Sequence, residues 1–482
     1  MRRAWLVAAL AVLALSACTV GPDYVRPAVD APAAYRFEPR EVAATADTEW
    51  WRQFGDPVLD QLIAGALAAN WNVKLAAANV EAAAGVVTQA RAPMFPQVGY
   101  GAAAMRTRLS EAGRTTTDGY ISNPVSVYQG AFTASWELDL WGRIRRQTEA
   151  GEANLLASDE ARRGVILALV ASVATGYVEL RGLDEALSVA RKTQKVYADS
   201  LQIFRYQFQY GEVSQMNVAQ AESQYETASA QIPALMQQIA ALENALAVLL
   251  GRNPGPIPRG RPVAELAAPP VPAGLPSQLL ERRPDILQAE QQLVAANAQI
   301  GAARAQYFPA ISLSGALGSA STDLSNLFKG PASTWNYAGS VVGPIFTAGL
   351  ISGQVAQAEA TRKAALFNYQ QTIQAAFADV STALSARQLL QERLASQEKL
   401  VRSLQDYSRL ARLQYEGGYA PYSTVLQAEQ TLFPAELTLA TLRAQTASSV
   451  AAIYKALGGG WVDRADAMTR AAGDAADAPT VR

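Results

Sequence analysis

The side chains that most often perform chemistry in proteins are nearly missing from this sequence. The chain of 482 residues has no histidine and a single cysteine, Cys18. Without histidine, the commonest general base and the commonest metal ligand are both absent, which excludes Ser-His and Cys-His nucleophiles. A lone cysteine forms no internal disulfide and has no second thiol beside it as a metal ligand. We therefore predict no catalytic residue, no metal site and no cofactor.

Cys18 lies at the end of an N-terminal targeting segment. Two arginines precede the apolar run 4–15, which is typical of a secretory signal peptide and shorter than the roughly twenty residues of a membrane-spanning helix. The tetrapeptide Leu-Ser-Ala-Cys at 15–18 resembles a bacterial lipobox. This implies cleavage before Cys18, an N-palmitoyl and S-diacylglycerol lipid on it, and, because Thr19 is not acidic, sorting to the outer membrane. An ordinary signal peptide followed by a chance cysteine is the alternative.

Charge and hydropathy argue against two further classes of protein, nucleic-acid-binding proteins and membrane proteins that cross the bilayer by helices. The chain has 41 basic and 42 acidic residues, so no net charge draws it to nucleic acid. Half of the residues are apolar, yet no uninterrupted apolar run beyond the signal reaches eighteen. We therefore predict that any membrane crossing is made by β-strands rather than by helices.

The sequence contains an internal repeat of about half its length. The segment Arg91–Val98 recurs as Arg304–Ile311, 213 residues later, and Val218–Glu222 recurs as Val425–Glu429, 207 residues later. Between the copies lies a proline-rich stretch, 253–276, which cannot continue a helix. Two copies of one structural unit therefore follow each other in tandem.

Each copy contains a long helical pattern. Apolar residues at alternating steps of three and four run from Ile166 to Phe208, interrupted only at Gly176 and Gln194, and a weaker version lies 207 residues on. This spacing is typical of a coiled-coil seam. No proline interrupts either region, so each helix could reach about seventy residues and about 100 Å. A soluble coiled-coil dimer would show the same pattern.

A stretch in which apolar and polar residues alternate, as in a β-strand, precedes each long helix. Apolar and polar residues alternate over 128–140, 311–317 and 335–341, and more weakly over 100–104. Strands of about ten residues with one apolar face can cross an outer membrane when tilted, although an ordinary soluble sheet also alternates. Four strands cannot close a barrel, because the smallest membrane barrels need eight. Three copies would supply twelve strands around an aqueous lumen.

Several motifs resemble those of the TolC-type outer-membrane factors, and more closely the lipoprotein branch typified by OprM and NodT-like proteins. The motifs are the lipobox with Gly21-Pro22-Asp23-Tyr24 behind it, Trp50-Trp51 with Phe54 and Asp56-Pro57, Glu281-Arg282-Arg283-Pro284-Asp285-Ile286, and Leu457-Gly458-Gly459-Gly460-Trp461. The resemblance covers nearly the whole mature chain. It implies a membrane α+β fold: a homotrimer with a 12-stranded β-barrel, four strands per chain, continuous with a long α-helical barrel and a mixed equatorial domain.

The resemblance also implies partners and a location. The partners are a periplasmic adaptor (membrane fusion protein), an inner-membrane transporter of the resistance-nodulation-division type, outer-membrane lipid and two further copies of the chain. The predicted function is the outer-membrane channel of a tripartite efflux system, with the helical part in the periplasm. A channel for type I protein secretion and a coiled-coil lipoprotein that spaces the envelope are the alternatives. An enzyme is disfavoured by the missing histidine.

The domain boundaries follow from these patterns. They are the lipoprotein signal peptide 1–17, a lipid-anchored segment 18–57, repeat 1 at 58–252, a linker at 253–276, repeat 2 at 277–460 and a C-terminal tail 461–482. Repeat 1 is predicted to hold strands at about 96–140 and helices 143–211 and 214–250. Repeat 2 is predicted to hold strands at about 309–345 and helices 349–417 and 421–458.

Two sets of residues near the helix reversals are the candidate functional sites. Glycine suits a tight reversal, and the family docks its adaptor at these tips, so the resemblance assigns adaptor contact to Tyr210, Gly211, Ser214, Gly417 and Gly418. A simple turn is the alternative.

The family often narrows its pore beyond the second tip with a ring of aspartates, and this sequence departs there. The matching residues are Asn217, Gln220, Thr424 and Gln427. This puts a carboxylate ring in doubt. We predict a closed tip held by hydrogen bonds among Gln220, Gln427 and nearby arginine or tyrosine side chains. The alternative is that these amides only face solvent.

Overall fold

A computed structural model of the chain describes residues 19–29, 32, 49–108, 110, 123–267, 269–271, 279–458 and 461–476, the last seven by backbone alone. The predicted signal peptide 1–17 and Cys18 lie outside the described residues. The helices are α1 (Pro57–Ala69), α2 (Trp71–Arg91), α3 (Arg143–Gln209), α4 (Gln215–Leu249), α5 (Leu279–Arg282), α6 (Pro284–Ala305), α7 (Leu350–Glu416), α8 (Tyr422–Ala456) and α9 (Trp461–Ala476). The strands are β1 (Gln97–Thr107), β2 (Val125–Leu138), β3 (Ala310–Ser321) and β4 (Ser333–Val342).

The chain divides into two compact units. The strand unit is built from Met1–Ala28, Val80–Ser158 and Ala289–Tyr369, and the hairpin unit from Val29–Asn79, Asp159–Gln288 and Gln370–Arg482. Each unit contains segments from both sequence repeats. Tertiary packing therefore cuts across the repeats instead of following them.

The repeat is most regular in the long helices. Helices α3 and α7 each have 67 residues, and α4 and α8 each have 35. In both pairs the second helix begins 207 residues after the first, the same offset as in the sequence. Both long helices begin and end within two residues of the predicted positions, because the heptad pattern stops where the reversal begins.

Two of these helices also pass a simple test for membrane spans. Arg143–Gln209 and Gln215–Leu249 contain stretches long and apolar enough to cross a membrane by length and composition. This is weak evidence, since the core helix of a soluble protein passes the same test and 61% of the stretch in α3 is buried inside the chain.

The C-terminal prediction needs a correction. The sequence assigns 461–482 to a tail, but Trp461–Ala476 forms helix α9, and the Trp461 side chain is fully buried. Trp461 packs edge-on against Trp51 at 5.5 Å between ring centroids, and Trp50 stacks on Tyr454 at 5.1 Å. In the core of the hairpin unit, these aromatic rings pack Trp50 and Trp51 against the C-terminal helices α8 and α9.

Asp56 organises the next part of this core although it is a fully buried carboxylate. Its side chain accepts hydrogen bonds from the Val58 backbone N–H at the start of α1 (2.9 Å), the Tyr177 hydroxyl (2.7 Å) and the Arg261 backbone N–H (3.0 Å). Buried charge is tolerated where several donors satisfy it. The Asp56-Pro57 motif thus ties α1, α3 and the proline-rich linker together.

Arg283 has a comparable role at the start of α6. This largely buried side chain donates to the Ala456 carbonyl at the end of α8 (3.0 Å) and forms an ion pair with Asp379 (3.0 Å). A cation is favourable at the C-terminal end of a helix, where carbonyls lack intrahelical partners. Arg283, the second arginine of the 281–286 motif, therefore caps the C-terminal end of α8.

The strand unit holds a four-stranded antiparallel sheet in the order β1-β2-β3-β4. Its register places Tyr100 opposite Phe132, Phe132 opposite Leu317, and Leu317 opposite Trp335. The sheet begins and ends with single edge strands, β1 and β4, within the described residues.

Candidate functional sites: helical tips, strand faces and the N-terminal segment

The two helical tips have the same backbone geometry. In tip 1, the α3–α4 turn, Gly211 donates to the Phe208 carbonyl (3.0 Å) and Glu212 donates to the Gln207 carbonyl (2.8 Å). In tip 2, the α7–α8 turn, the equivalent bonds run from Gly418 to Tyr415 (2.9 Å) and from Tyr419 to Gln414 (2.8 Å). This pair of bonds is the Schellman motif, which ends helices at a left-handed residue. The φ angles of 76° at Gly211 and 74° at Gly418 suit glycine for that reason.

The residues predicted for adaptor contact all lie on these two turns. Tyr210 is 78% exposed, and Gly211, Ser214, Gly417 and Gly418 are exposed as well. Ser214 occupies the N-cap position of α4, where its hydroxyl donates to the Asn217 side-chain oxygen (3.3 Å). The tips therefore present surface to a partner, and adaptor contact stays a prediction.

The predicted gate residues lie in the first two turns of α4 and α8. Asn217 and Thr424 are half-buried, whereas Gln220 and Gln427 are exposed. Among the described residues of the single chain, neither glutamine amide hydrogen bonds to another side chain. The predicted bonds among Gln220, Gln427 and nearby arginine or tyrosine are not formed within one copy, so such a ring would have to form between copies.

Sequence reasoning missed the contacts that tie hairpin 1 (α3 and α4) to hairpin 2 (α7 and α8). Phe204 lies against Tyr422 at 4.1 Å between ring centroids, and Tyr422 also meets Tyr415 at 5.2 Å. Burial raises the pKa of Tyr422 to about 12. The Gln224 amide donates to the Leu426 carbonyl (3.3 Å). No local pattern predicts the pairs Phe204–Tyr422 and Gln224–Leu426, because their members are more than 200 residues apart.

An ion pair recurs at the same repeat offset in both hairpins. Arg205 pairs with Glu222 at 2.9 Å, and Arg412 pairs with Glu429 at 2.7 Å. The side chain of Glu222 is 50% exposed, whereas that of Glu429 is 6% exposed. Burial raises the pKa of Glu429, and Arg412 opposes that shift only in part. The repeated sequence segments 218–222 and 425–429 would have located both glutamates but not the difference between them.

The two faces of the sheet differ in chemistry. One face carries large apolar side chains on every strand, and Tyr100, Phe132, Leu317, Trp335 and Tyr337 on it are all more than 60% exposed. Arg106 and Ser126 lie on the same face at its loop end. The opposite face carries small and hydroxyl side chains; its members include Gly101, Ala103, Thr133, Ser135, Ser312, Ser314, Ala338 and Ser340. Such alternation suits a sheet with lipid on one side and water on the other.

The N-terminal segment Thr19–Arg26, here called the strap, is held against helices of the strand unit. The Val20 N–H donates to the Trp141 carbonyl (3.1 Å), and Asp23 pairs with the buried Arg146 (2.6 Å). Cys18, the predicted lipidation site, directly precedes the strap and lies outside the described residues.

The comparisons with known proteins agree with this geometry. The model of the outer membrane efflux protein family matches the chain over residues 62–252 and again over 275–459. The solvent efflux pump outer membrane protein SrpC of Pseudomonas putida is 37% identical over 460 residues, 94% of this chain and 97% of that protein. The cation efflux system protein CusC of Escherichia coli is 35% identical over 456 residues, 93% of this chain and 97% of that protein. The open-state crystal structure of the Neisseria gonorrhoeae MtrE outer membrane channel has a TM-score of 0.83 at 33% identity, covering 92% of this chain and 99% of that chain.

The chain belongs to the outer membrane efflux protein family. It is an outer-membrane efflux channel with a TolC-like fold, mostly helical with a small sheet, and its helical part lies in the periplasm. The predicted family, the TolC-like fold with two repeats, the efflux function and the outer-membrane location are therefore confirmed, whereas the trimer, the twelve-stranded barrel and the lipid anchor stay predictions. The two matches of the family model correspond to the two tandem repeats. The family is one of channels, not of enzymes.

Proposed function

We propose that three copies of this chain assemble into one passive exit duct that carries small solutes from the periplasm to the exterior and catalyses no reaction. The observation that carries this is the four-stranded sheet with two edge strands and one face that carries large apolar side chains on every strand, with Arg106 and serines on that face only at its loop end. Lipid does not tolerate open strand edges, and four strands cannot close a barrel. Three sheets joined β4 to β1 give twelve strands, enough for an aqueous lumen.

The apolar face would then meet lipid and the small, hydroxyl-rich face would line the lumen. Tyr100, Trp335 and Tyr337 fit the aromatic girdle that such barrels place at the membrane interface. An N-palmitoyl and S-diacylglycerol lipid on Cys18 would anchor each chain to the same membrane.

We propose a periplasmic adaptor and an inner-membrane transporter as partners. The names of the relatives support an efflux pump, and the exposed turns at Tyr210–Ser214 and Gly417–Gly418 are the surface we assign to the adaptor. Those names also differ in cargo, solvents for SrpC and cations for CusC. This supports a duct whose cargo is selected by the pump, and drugs or other small solutes are the class we propose here.

The gate we propose is a ring in which the amides of Gln220 and Gln427 hydrogen bond between copies. Asn217 and Thr424 lie three residues before these glutamines and complete the ring on the side of the tip. The exposed amides support this, since they have no side-chain partner among the described residues of one chain. Replacing Gln427 by alanine should raise the open probability in planar bilayers, and an unchanged current would exclude a gate at this ring.

Cysteine crosslinking between edge strands tests the assembly directly, because the chain has no other cysteine than Cys18. Cysteines at Ala103 of β1 and at successive even positions 336–340 of β4 lie on the same face of the sheet. Oxidation should link neighbouring copies into a covalent trimer at one of these registers. Moving the β1 cysteine to Ala102, on the opposite face, is the matched control and should abolish the link.

Two rival functions make different predictions. A spacer lipoprotein would give no covalent trimer and no conductance. A type I secretion channel would assemble equally well, yet a strain lacking it would fail to export a protein and would accumulate dyes normally. Dye accumulation and drug susceptibility in that strain, with complementation by the intact protein and by Cys18→Ala, separate these cases.

A further inference from the structure

We propose that the strap is the ligand of a groove formed by both repeats, and that this docking holds the lipid attachment point where strand β2 gives way to helix α3. The proposal rests on the proposed lipid anchor at Cys18, and goes beyond it by assigning an intramolecular binding site to the anchored segment. The partner of the held lipid is the inner leaflet of the outer membrane.

One wall of the groove is formed by α6, which contacts the strap through polar side chains. The Asn297 amide donates to the Pro22 carbonyl (2.8 Å), and Glu290 accepts from the Tyr24 hydroxyl (3.1 Å) and pairs with Arg26 (2.7 Å). Asn297 and Glu290 are spaced seven residues apart, so they lie on one face of the helix. Burial and the nearby Glu290 carboxylate raise the pKa of Tyr24, which keeps its hydroxyl a donor.

The closest approach is between two glycines. Gly21 has a φ of 107°, and a Cβ added to it would collide with the Gly301 backbone. A Cβ added at Gly301 would lie 2.6 Å from the Val20 carbonyl oxygen and 2.9 Å from Cγ of Arg146. Gly301 lies four residues after Asn297, on the same face of α6. Backbone meets backbone here because neither residue has a side chain.

The other wall of the groove comes from repeat 1. Arg146 of α3 is buried, with 5% of its side chain exposed, and pairs with Asp23 (2.6 Å) and Glu149 (2.8 Å). Thr19 packs against Gly142, whose added Cβ would meet it at 2.9 Å. Since α3 belongs to repeat 1 and α6 to repeat 2, the groove exists only after both repeats have folded.

The position of the strap decides what the docking does. Val20 bonds to Trp141, three residues after β2 ends at Leu138, and the residue that would carry the lipid directly precedes Thr19. Consecutive Cα atoms are about 3.8 Å apart, so a docked Thr19 keeps the backbone of the lipid attachment point within that distance of its own Cα. An acyl chain on a free tether would insert wherever the tether reached. The docked strap instead fixes the insertion point at the end of the strands.

The test measures docking separately from lipidation. A cysteine placed at Val20, in the otherwise intact protein, reports the strap through its rate of reaction with a bulky maleimide in native membranes. Gly301→Val should raise that rate at least tenfold by closing the groove. Gly85→Val is the matched control, because a Cβ at Gly85 in α2 meets nothing, and should leave the rate unchanged. An equal rate in the Gly301→Val and parent backgrounds overturns the proposal.

A second variant covers misfolding at Gly301. Asp23→Ala combined with Arg26→Ala leaves α3 and α6 intact and removes two ion pairs of the strap, so it should also raise the labelling rate several-fold. Palmitate incorporation should stay normal in both variants while the yield of heat-resistant trimers falls several-fold. Normal trimer yield with an undocked strap overturns the anchoring role. Absence of palmitate from the parent protein would instead refute the lipid anchor of the proposed function. Because Cys18 would then carry a free thiol, the labelling of the protein without the Val20 cysteine is subtracted before the docking result is read.

Discussion

The two helical hairpins share one sequence plan but differ in their surroundings. Arg205–Glu222 and Arg412–Glu429 are equivalent ion pairs, and only the second has a buried carboxylate. Tyr422, the first residue of α8, packs at an angle against Phe204 of α3. Gln224, the tenth residue of α4, donates to the carbonyl of Leu426, the fifth residue of α8, so α4 begins five residues further towards the tip than α8. Tip 1 therefore extends roughly 8 Å past tip 2, at 1.5 Å per residue.

This stagger explains the unequal burial. Helix α3 runs past the base of tip 2, where the Tyr197 hydroxyl donates to the Glu429 carbonyl (3.2 Å). Glu222 sits nearer the free end of hairpin 1 and stays half-exposed. The two repeats thus share the same helices, turns and ion pairs, because their local sequences are alike. How far a residue is buried depends instead on which other segment packs against it. Four predictions test this difference.

The largest effect is expected where α3 meets α8. Gly182 allows close contact, since an added Cβ would collide with the Ala444 side chain, while its repeat equivalent Leu389 is 54% exposed. Gly182→Leu should lower the free energy of unfolding by about 3 kcal/mol through overpacking, and Leu389→Ala by less than about 0.5 kcal/mol. Urea denaturation of the detergent-solubilised protein, followed by circular dichroism, measures both. Similar losses at the two sites would show that the hairpins are packed alike.

The ion pairs should respond unequally. Arg412→Ala leaves the buried Glu429 carboxylate without its cation and should cost about 2 kcal/mol at neutral pH. Arg205→Ala, at a pair exposed on both sides, should cost no more than about 0.5 kcal/mol. The same denaturation measurement applies, and an equal cost for both arginines would contradict the burial argument.

The tips themselves should respond equally, because their geometry is local. Gly211→Ala and Gly418→Ala each place a Cβ in the left-handed region and should each cost about 1 kcal/mol. Replacement of either glycine by asparagine, which tolerates this region better, should cost less. A clear difference between the two alanine variants would mean that one tip is held by more than its own backbone.

The smallest effect is a pH dependence at Glu429. Burial raises its pKa above the ordinary value of 4.5, so between the two values the folded chain binds more protons than the unfolded chain. The free energy of unfolding then falls as the pH rises through that interval. Glu429→Gln has no proton to lose, so its stability relative to the parent protein should grow from pH 4.5 towards neutral pH. Denaturation curves across this range provide the measurement, Glu222→Gln is the control, and a constant difference for Glu429→Gln would refute the assignment.

Sequence periodicity predicted the long helices and the strands well because their causes are local. The seam from Ile166 to Phe208 and the alternation over 128–140 are properties of neighbouring residues, and α3 and β2 lie where those patterns run. Helix α9 was missed because Trp461 is held by Trp51, more than 400 positions earlier. The strap was missed for the same reason, since its partners Asn297 and Gly301 follow it by more than 270 residues.

The candidate sites divide in the same way. Gly211 and Gly418 were identified from residue type, and both adopt the left-handed geometry of a helix end. Gln220 and Gln427 were assigned to a ring that one chain does not form, because a ring is a property of an assembly. The buried Glu429 was not singled out at all, since its sequence context matches that of the exposed Glu222.

The order of residues alone determined the repeat, the helix and strand periods, the helix ends and the family, because each depends on short-range spacing or on motifs that are readable in place. Tertiary structure alone decided which of two equivalent carboxylates is buried, how far one tip extends past the other, and which groove receives the strap. Those features arise from packing between segments hundreds of residues apart, where a side chain's energy depends on what covers it rather than on its neighbours in sequence.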